Sequence, residues 1–187
     1  MDGKKIDRLL GSENGYTFLQ GMPVPDAECQ DTIDHDSVCK ECGAYKKSYI
    51  CQEMEGSDGR SLSDLAHYDE AAVLSKDYKV DRDDSASIYR IRNSFQNLCR
   101  MVSLEYQASG DDVFPMSSFT GKCSHCNECN CVKGTPCGCP DSRVSPMKCY
   151  GISEDKYLDE IGVKHSSDPD TLTLCGLFLT KKQVKTN

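Results

Sequence analysis

Thr171-Leu-Thr-Leu-Cys-Gly-Leu-Phe-Leu-Thr180 is the stretch whose reading decides the fold. It is bounded by polar, turn-forming residues and is rich in side chains that suit a pleated backbone, so it reads as a β-strand. Its apolar side chains fall on both faces instead of alternating, which places the strand at the centre of a sheet and not at an edge. Working outward, Tyr16-Thr-Phe-Leu19 reads as a second short strand, ended by Gly21 and the Pro23/Pro25 pair. Ile88, Ile91, Phe95, Leu98 and Val102 recur at steps of three and four, the apolar stripe of an amphipathic helix predicted to run from Ile88 to Tyr106. Cys99 lies beside that stripe and reads as a small buried hydrophobe. Val113 to Thr120 reads as extended chain, and residues 154–161 as a short helix stopped by Gly162. Residues 55–84 hold a different composition, an acidic and partly loop-like insert with a short helix near Leu62 to Leu74. These elements predict an α+β fold: a small antiparallel sheet with packed helices and cysteine-rich metal-binding loops meeting at one end. Residues 1–187 are expected to form a single domain.

Composition limits what such a domain can do. Of the 187 residues, 37% are apolar, 7% are aromatic and none is Trp. That supply predicts a modest core helped by some other constraint. Asp and Glu outnumber Lys and Arg by 30 to 22, for a formal charge of −8. The balance argues against nucleic-acid binding, which needs a basic face. No apolar run approaches the ~20 residues of a spanning helix, so no membrane span is expected.

Thirteen cysteines are the candidates for the missing constraint. An odd number cannot pair off fully within one chain. The polar N-terminus has no apolar signal core, and there is no Asn-x-Ser/Thr acceptor, so a cytoplasmic location is expected, where clustered thiols bind metal or do redox work. The cysteines are crowded into two loops, 29–51 and 123–139. The second contains Cys123-Ser-His-Cys126-Asn-Glu-Cys129 and then Cys137, between Pro136 and Gly138. Consecutive C-x2-C steps with a remote fourth thiol suit a [4Fe–4S] cluster, and the same thiolates serve zinc equally well. The first loop gives Cys39-Lys-Glu-Cys42 and Cys51, three thiols that take a fourth ligand from Cys29, Cys149, Cys175 or His35, keep an open coordination position, or converge with the second loop on one larger centre. The primary metal ligands are therefore Cys39, Cys42, Cys51, Cys123, Cys126, Cys129 and Cys137. Cys29, Cys131, Cys139 and Cys149 form a second tier. One or two clusters are expected, with zinc as the alternative.

Other signals carry less. His125 stands inside a C-x2-C step whose thiols suffice without it, and His67 and His165 read as surface residues. Asp81, Asp83 and Asp84 resemble half a calcium loop but lack its Gly and terminal Glu. There is no P-loop, no G-x-G-x-x-G, no H-E-x-x-H and no Ser/His/Asp constellation, so no catalytic site is visible.

The arrangement resembles a cysteine-rich predicted metal-binding family of bacteria and archaea that has no assigned function. The likeness rests on Gly15-Tyr-Thr-Phe-Leu-Gln-Gly-Met-Pro-Val24, then Cys29, Cys39, Cys42-x2-Tyr45 and Cys51. It continues through Gly121-Lys-Cys123-x2-Cys126-x2-Cys129, Pro136-Cys137, Pro140, Ser145-Pro-Met147, Tyr150-Gly151 and Pro169-Asp-Thr-Leu-Thr173. Gly43 and Gln52 stand where that family favours proline, and Cys131 and Cys139 are additions to its pattern. The resemblance implies metal binding through the seven primary cysteines, as iron–sulfur, and no substrate. The leading expectation is an iron–sulfur protein for electron transfer, or for activation or maturation of a client enzyme. Its acidic surface suits a basic patch on a protein redox partner. The alternatives are a structural zinc-binding interaction module and, behind it, a thiol redox enzyme using Cys39 and Cys42.

Overall fold

A computed structural model describes residues 3–11, 15–30, 62–118 and 128–181. Among these the chain forms five strands: β1 (Thr17–Met22), β2 (Glu70–Lys79), β3 (Val113–Ser117), β4 (Ser145–Pro146) and β5 (Thr171–Thr180). Three α-helices accompany them: α1 (Gly3–Leu10), α2 (Ser85–Ala108) and α3 (Glu154–Glu160). The sheet order is β1-β2-β5-β3-β4, antiparallel throughout except for the parallel β3–β4 pair. The fold class is α+β, as the sequence predicts.

β5 is the central strand. It pairs along its whole length with β2, from Glu70 opposite Thr180 to Lys79 opposite Thr171. On its other side β3 pairs with its second half, Val113 opposite Thr180 and Ser117 opposite Gly176. Both faces of the sheet are covered, which accounts for a strand without polar–apolar alternation. On one face Leu172, Leu174 and Phe178 join Ala72 and Leu74 of β2 against Phe95, Cys99, Val102 and Tyr106 of α2. Ile6 and Leu10 of α1 complete that core. On the opposite face Cys175, Leu177 and Leu179 join Ala71, Val73 and Met116 against Met147, Cys149, Tyr150, Ile152, Tyr157 and Leu158.

α2 begins where the sequence supplies a cap. The Asp84 carboxylate accepts from the Ser87 backbone N–H at 2.9 Å, satisfying a donor that the first helical turn leaves unpaired. Asp81 likewise accepts from the Asp83 N–H at 3.0 Å, so the acidic trio shapes a turn and a helix start. α3 ends at Glu160, capped by Ile161 and followed by Gly162 in the left-handed conformation at φ 70°.

Two expectations need correction. The stretch 55–84 does not carry a helix across Leu62 to Leu74. Its described part holds one 3-10 turn at Leu62–Leu65, and Glu70–Lys79 is strand β2, next to the centre of the sheet. The acids that colour this stretch lie outside the run Ala71 to Ser75, every residue of which is buried. The second correction is α1. The N-terminus reads as a polar lead, yet Ile6 and Leu10, four residues apart, bury one helix face against α2.

Candidate metal centre

The first cysteine loop is described only up to Gln30; Cys39, Cys42 and Cys51, and His35, lie outside the described residues. So do Cys123 and Cys126 of the second loop, with His125. The rest of the second loop is built from tight turns. Cys129 precedes a 3-10 turn at Asn130–Lys133, which Gly134 closes with φ 74°. Cys139 precedes another at Pro140–Ser142. Its backbone N–H donates to Cys137 Sγ at 3.4 Å. Cys131 is buried, and its thiol is within reach of the thiols of both Cys129 and Cys137. Burial, and then the two neighbouring sulfurs, push it up to about 11. A bound cation reverses such a penalty, since thiolates crowded in low dielectric need positive charge between them. A set made of sulfur alone suits a soft centre, zinc or iron–sulfur, and excludes calcium or magnesium.

Of the second-tier cysteines, Cys149 and Cys29 take other places. Cys149 is buried in the core between Met147 and Tyr150. Cys29 is fully buried in that same core, beneath α3. Cys175, considered as a remote ligand, is also fully buried there, and desolvation holds its thiol far above the ordinary range. Cys99 is fully buried beside the Phe95–Val102 stripe, as expected.

A second donor set was not legible in the sequence. Asp26, Cys29 and Glu160 each offer a ligand atom, and the three atoms lie within 4.8 Å of one another. Asp26 caps the 3-10 turn Ala27–Cys29, its carboxylate accepting from the Glu28 N–H at 2.8 Å. Glu160 comes from the last turn of α3, and the Cys29 thiol donates to its Oε2 at 2.6 Å. Burial first, and then that carboxylate, push the Cys29 thiol up to about 12. Three ties hold α3 across this segment, the first of them part of the Gln30–Ile152 bridge. The Ser153 N–H donates to the Cys29 carbonyl at 2.8 Å, Lys156 Nζ to the Gln30 carbonyl at 2.7 Å and the Tyr157 hydroxyl to the Pro23 carbonyl at 2.7 Å. Asp26 and Glu160 are 134 positions apart and share no motif, so no spacing pattern marks the pair.

The two donor sets sit in different parts of the fold. Cys29 packs in the core under α3, whereas the loop after Cys139 lies by the end of α2. There Gln107 Nε2 donates to the Asp141 carbonyl at 3.4 Å, and Val144 enters the α2 core. The expected meeting of the two cysteine loops rests on Cys39, Cys42, Cys51, Cys123 and Cys126, which lie outside the described residues.

One further ionisable group is unusual. Glu154, the first residue of α3, is half-buried with its carboxyl turned inward, and its Oε1 has no hydrogen-bond partner among the described residues. Burial, and then Asp155, push its carboxyl up to about 8, against the opposing effects of the Ser118 hydroxyl, Lys148 and Arg92. His165 pairs with Asp159 at 3.0 Å, and His67 is exposed, both in accord with a surface reading. No helix among the described residues is long and apolar enough to cross a membrane.

Among curated proteins the chain is similar to mouse Mucin-19, at 26% identity over 178 residues. That match covers 87% of this chain but 2% of the mucin, so it carries nothing about activity. No solved structure matches. The family model described as "Predicted metal-binding protein (DUF2284)" matches residues 28–180, from the residue before Cys29 to the end of β5, and the chain therefore belongs to that metal-binding family.

Proposed function

We propose that this protein is a cytoplasmic, single-domain iron–sulfur protein. In this reading it transfers electrons to a protein partner or serves the activation or maturation of a client enzyme. The observation that carries the reading is the gathering of the Cys129, Cys131 and Cys137 thiols on one short loop, in a chain of a metal-binding family. Cys123, Cys126, Cys129 and Cys137 are the ligands of a [4Fe–4S] cluster, and Cys39, Cys42 and Cys51 contribute three ligands to a second. A cluster, when bound, supplies one-electron transfer at a potential set by burial and by hydrogen bonds to sulfur. The chain contributes such a bond, from the Cys139 N–H to Cys137 Sγ. Cys131, itself buried, lies beside two of these ligands. The net charge of −8 favours docking to a basic patch on the partner, weakened by salt.

Anaerobically purified protein should carry iron and acid-labile sulfide and show a broad visible absorbance that dithionite bleaches. Colourless protein with stoichiometric zinc would overturn the reading in favour of a structural zinc module. The turn-rich build of residues 128–142 supports that second reading, because such loops are the kind a zinc knuckle holds in place. In that case chelation unfolds the chain with no redox signal.

A further inference from the structure

We propose that Asp26, Cys29 and Glu160 form a second metal site, separate from the clustered thiols, that takes one divalent zinc-class ion. The donors come from two segments that the fold clamps together independently of the ligand atoms. The clamp consists of the Lys156–Gln30 and Tyr157–Pro23 hydrogen bonds and the Ser153–Cys29 bond that forms the Gln30–Ile152 bridge. The three donor atoms converge within 4.8 Å before any ion is present, which removes most of the ordering cost of binding.

Electrostatics points to a cation. Among the described residues, the charged groups that act on the buried Cys29 sulfur are Glu160 and Asp26, both negative. Lys156, one turn before Glu160 on α3, is engaged by the Gln30 carbonyl. The two carboxylates facing the buried thiol concentrate negative potential that a divalent ion relieves, the Cys29 proton leaving to solvent as its sulfur binds the ion.

Donor chemistry chooses the ion. One sulfur and two oxygens exclude calcium and magnesium, which take oxygen alone, and exclude an iron–sulfur cluster, which is held mainly by thiolates. Zinc accepts the mixture, with three protein ligands and a fourth position for water. Asp26 and Glu160 are exposed while Cys29 is not, so the open position faces solvent. The site therefore belongs to the open, exchangeable kind and not to the closed structural kind.

The inference deepens the metal-binding reading but does not depend on the identity of the thiol-loop metal. Cobalt(II) is the probe, titrated into full-length protein whose iron and sulfide have been measured in the same sample. Wild type should take up one cobalt ion beyond the thiol-loop metal, with a thiolate-to-cobalt absorption band. Glu160→Gln and Asp26→Asn should each weaken that uptake at least tenfold and leave iron, sulfide and the circular dichroism spectrum unchanged. Both positions are exposed, so these variants keep the fold where a change at buried Cys29 could lose it. Unaltered cobalt uptake in both variants would overturn the proposal. So would loss of iron in Cys29→Ser with cobalt binding intact, which would assign Cys29 to the first cysteine loop. Wild type lacking iron altogether would sink the iron–sulfur reading and leave the cobalt result to stand alone.

Discussion

The Cys99 sulfur of α2 lies 2.6 Å from the point where a Cβ on Gly176 of β5 would stand. Both are in the middle of their elements, and Cys99 has no exposed surface. The contact is therefore the place where the long helix comes down onto the central strand, and a hydrogen atom is all that the strand can present there. Gly176→Ala forces an overlap that neither element can relieve by moving into solvent. Overpacking of this kind costs typically ~1–3 kcal/mol. Denaturant unfolding should show that loss, and Cys99→Ala in the same chain should restore most of it, because the smaller side chain removes the clash. If the double variant is no more stable than Gly176→Ala alone, the close approach is not the cause.

Asp84 supports the same helix from its end. Replacing it by Ala removes the acceptor for the Ser87 N–H and should cost about 0.5–2 kcal/mol, whereas Ser or Asn at this position should retain most of the stability. Equal losses for Ala and Asn, measured by thermal unfolding, would deny the cap its role. The outcome matters for the sequence reading as well, since it separates a capping carboxylate from a half-formed calcium loop.

The sequence speaks clearly where one local pattern determines one element. β5 is such a case, because two covered faces leave an unbroken apolar signature. The α2 stripe is another, because its period survives any detail of packing. β2 was harder. Its buried residues are the short run Ala71-Ala72-Val73-Leu74-Ser75, small enough to be masked by Glu70, Lys76, Asp77 and the acids around them. The pairing with β5, about 100 residues away, decides its conformation, and pairing over that distance leaves no local trace. The site divides in the same way. Cysteine spacing marks the thiol loop and the family, since residues close in sequence report themselves. Asp26 and Glu160 meet only because α3 is tied to the Pro23–Gln30 segment by main-chain acceptors, which any sequence provides.

A ligand substitution in the thiol loop tests both metal binding and its contribution to folding. Cys137→Ser removes the sulfur that accepts the Cys139 N–H and lies beside Cys131. Iron content should fall by the share of one cluster. The melting temperature should drop by roughly 5–15 °C, the shift that a loss of about 2–4 kcal/mol produces in a chain of this size. Cys149→Ser is the control. It perturbs the core and should lower the melting temperature without changing the metal content. Full iron content in Cys137→Ser would remove this residue from the ligand set.

The buried Glu154 carboxyl makes a prediction about pH whose sign can be worked out. Its ordinary value is 4.5, and in the folded protein burial raises it to about 8. Between those two values the folded chain retains a proton that the unfolded chain has released. Stability therefore falls as pH rises across this window, with a slope of up to about 1.4 kcal/mol per pH unit from this group. Below about pH 4.5 the group is neutral in both states and contributes no slope; above about pH 8 it is charged in both, and the penalty is at its full extent. Glu154→Gln keeps the shape and the uncharged character of the buried acid but cannot ionise. It should match wild type near pH 4.5 and become progressively more stable than wild type from there to pH 8. Subtracting the two pH profiles of unfolding free energy cancels every other titrating group. A flat difference would show that Glu154 is ionised in the fold with a partner that compensates it, and a difference of the opposite slope would show that its charge is stabilising.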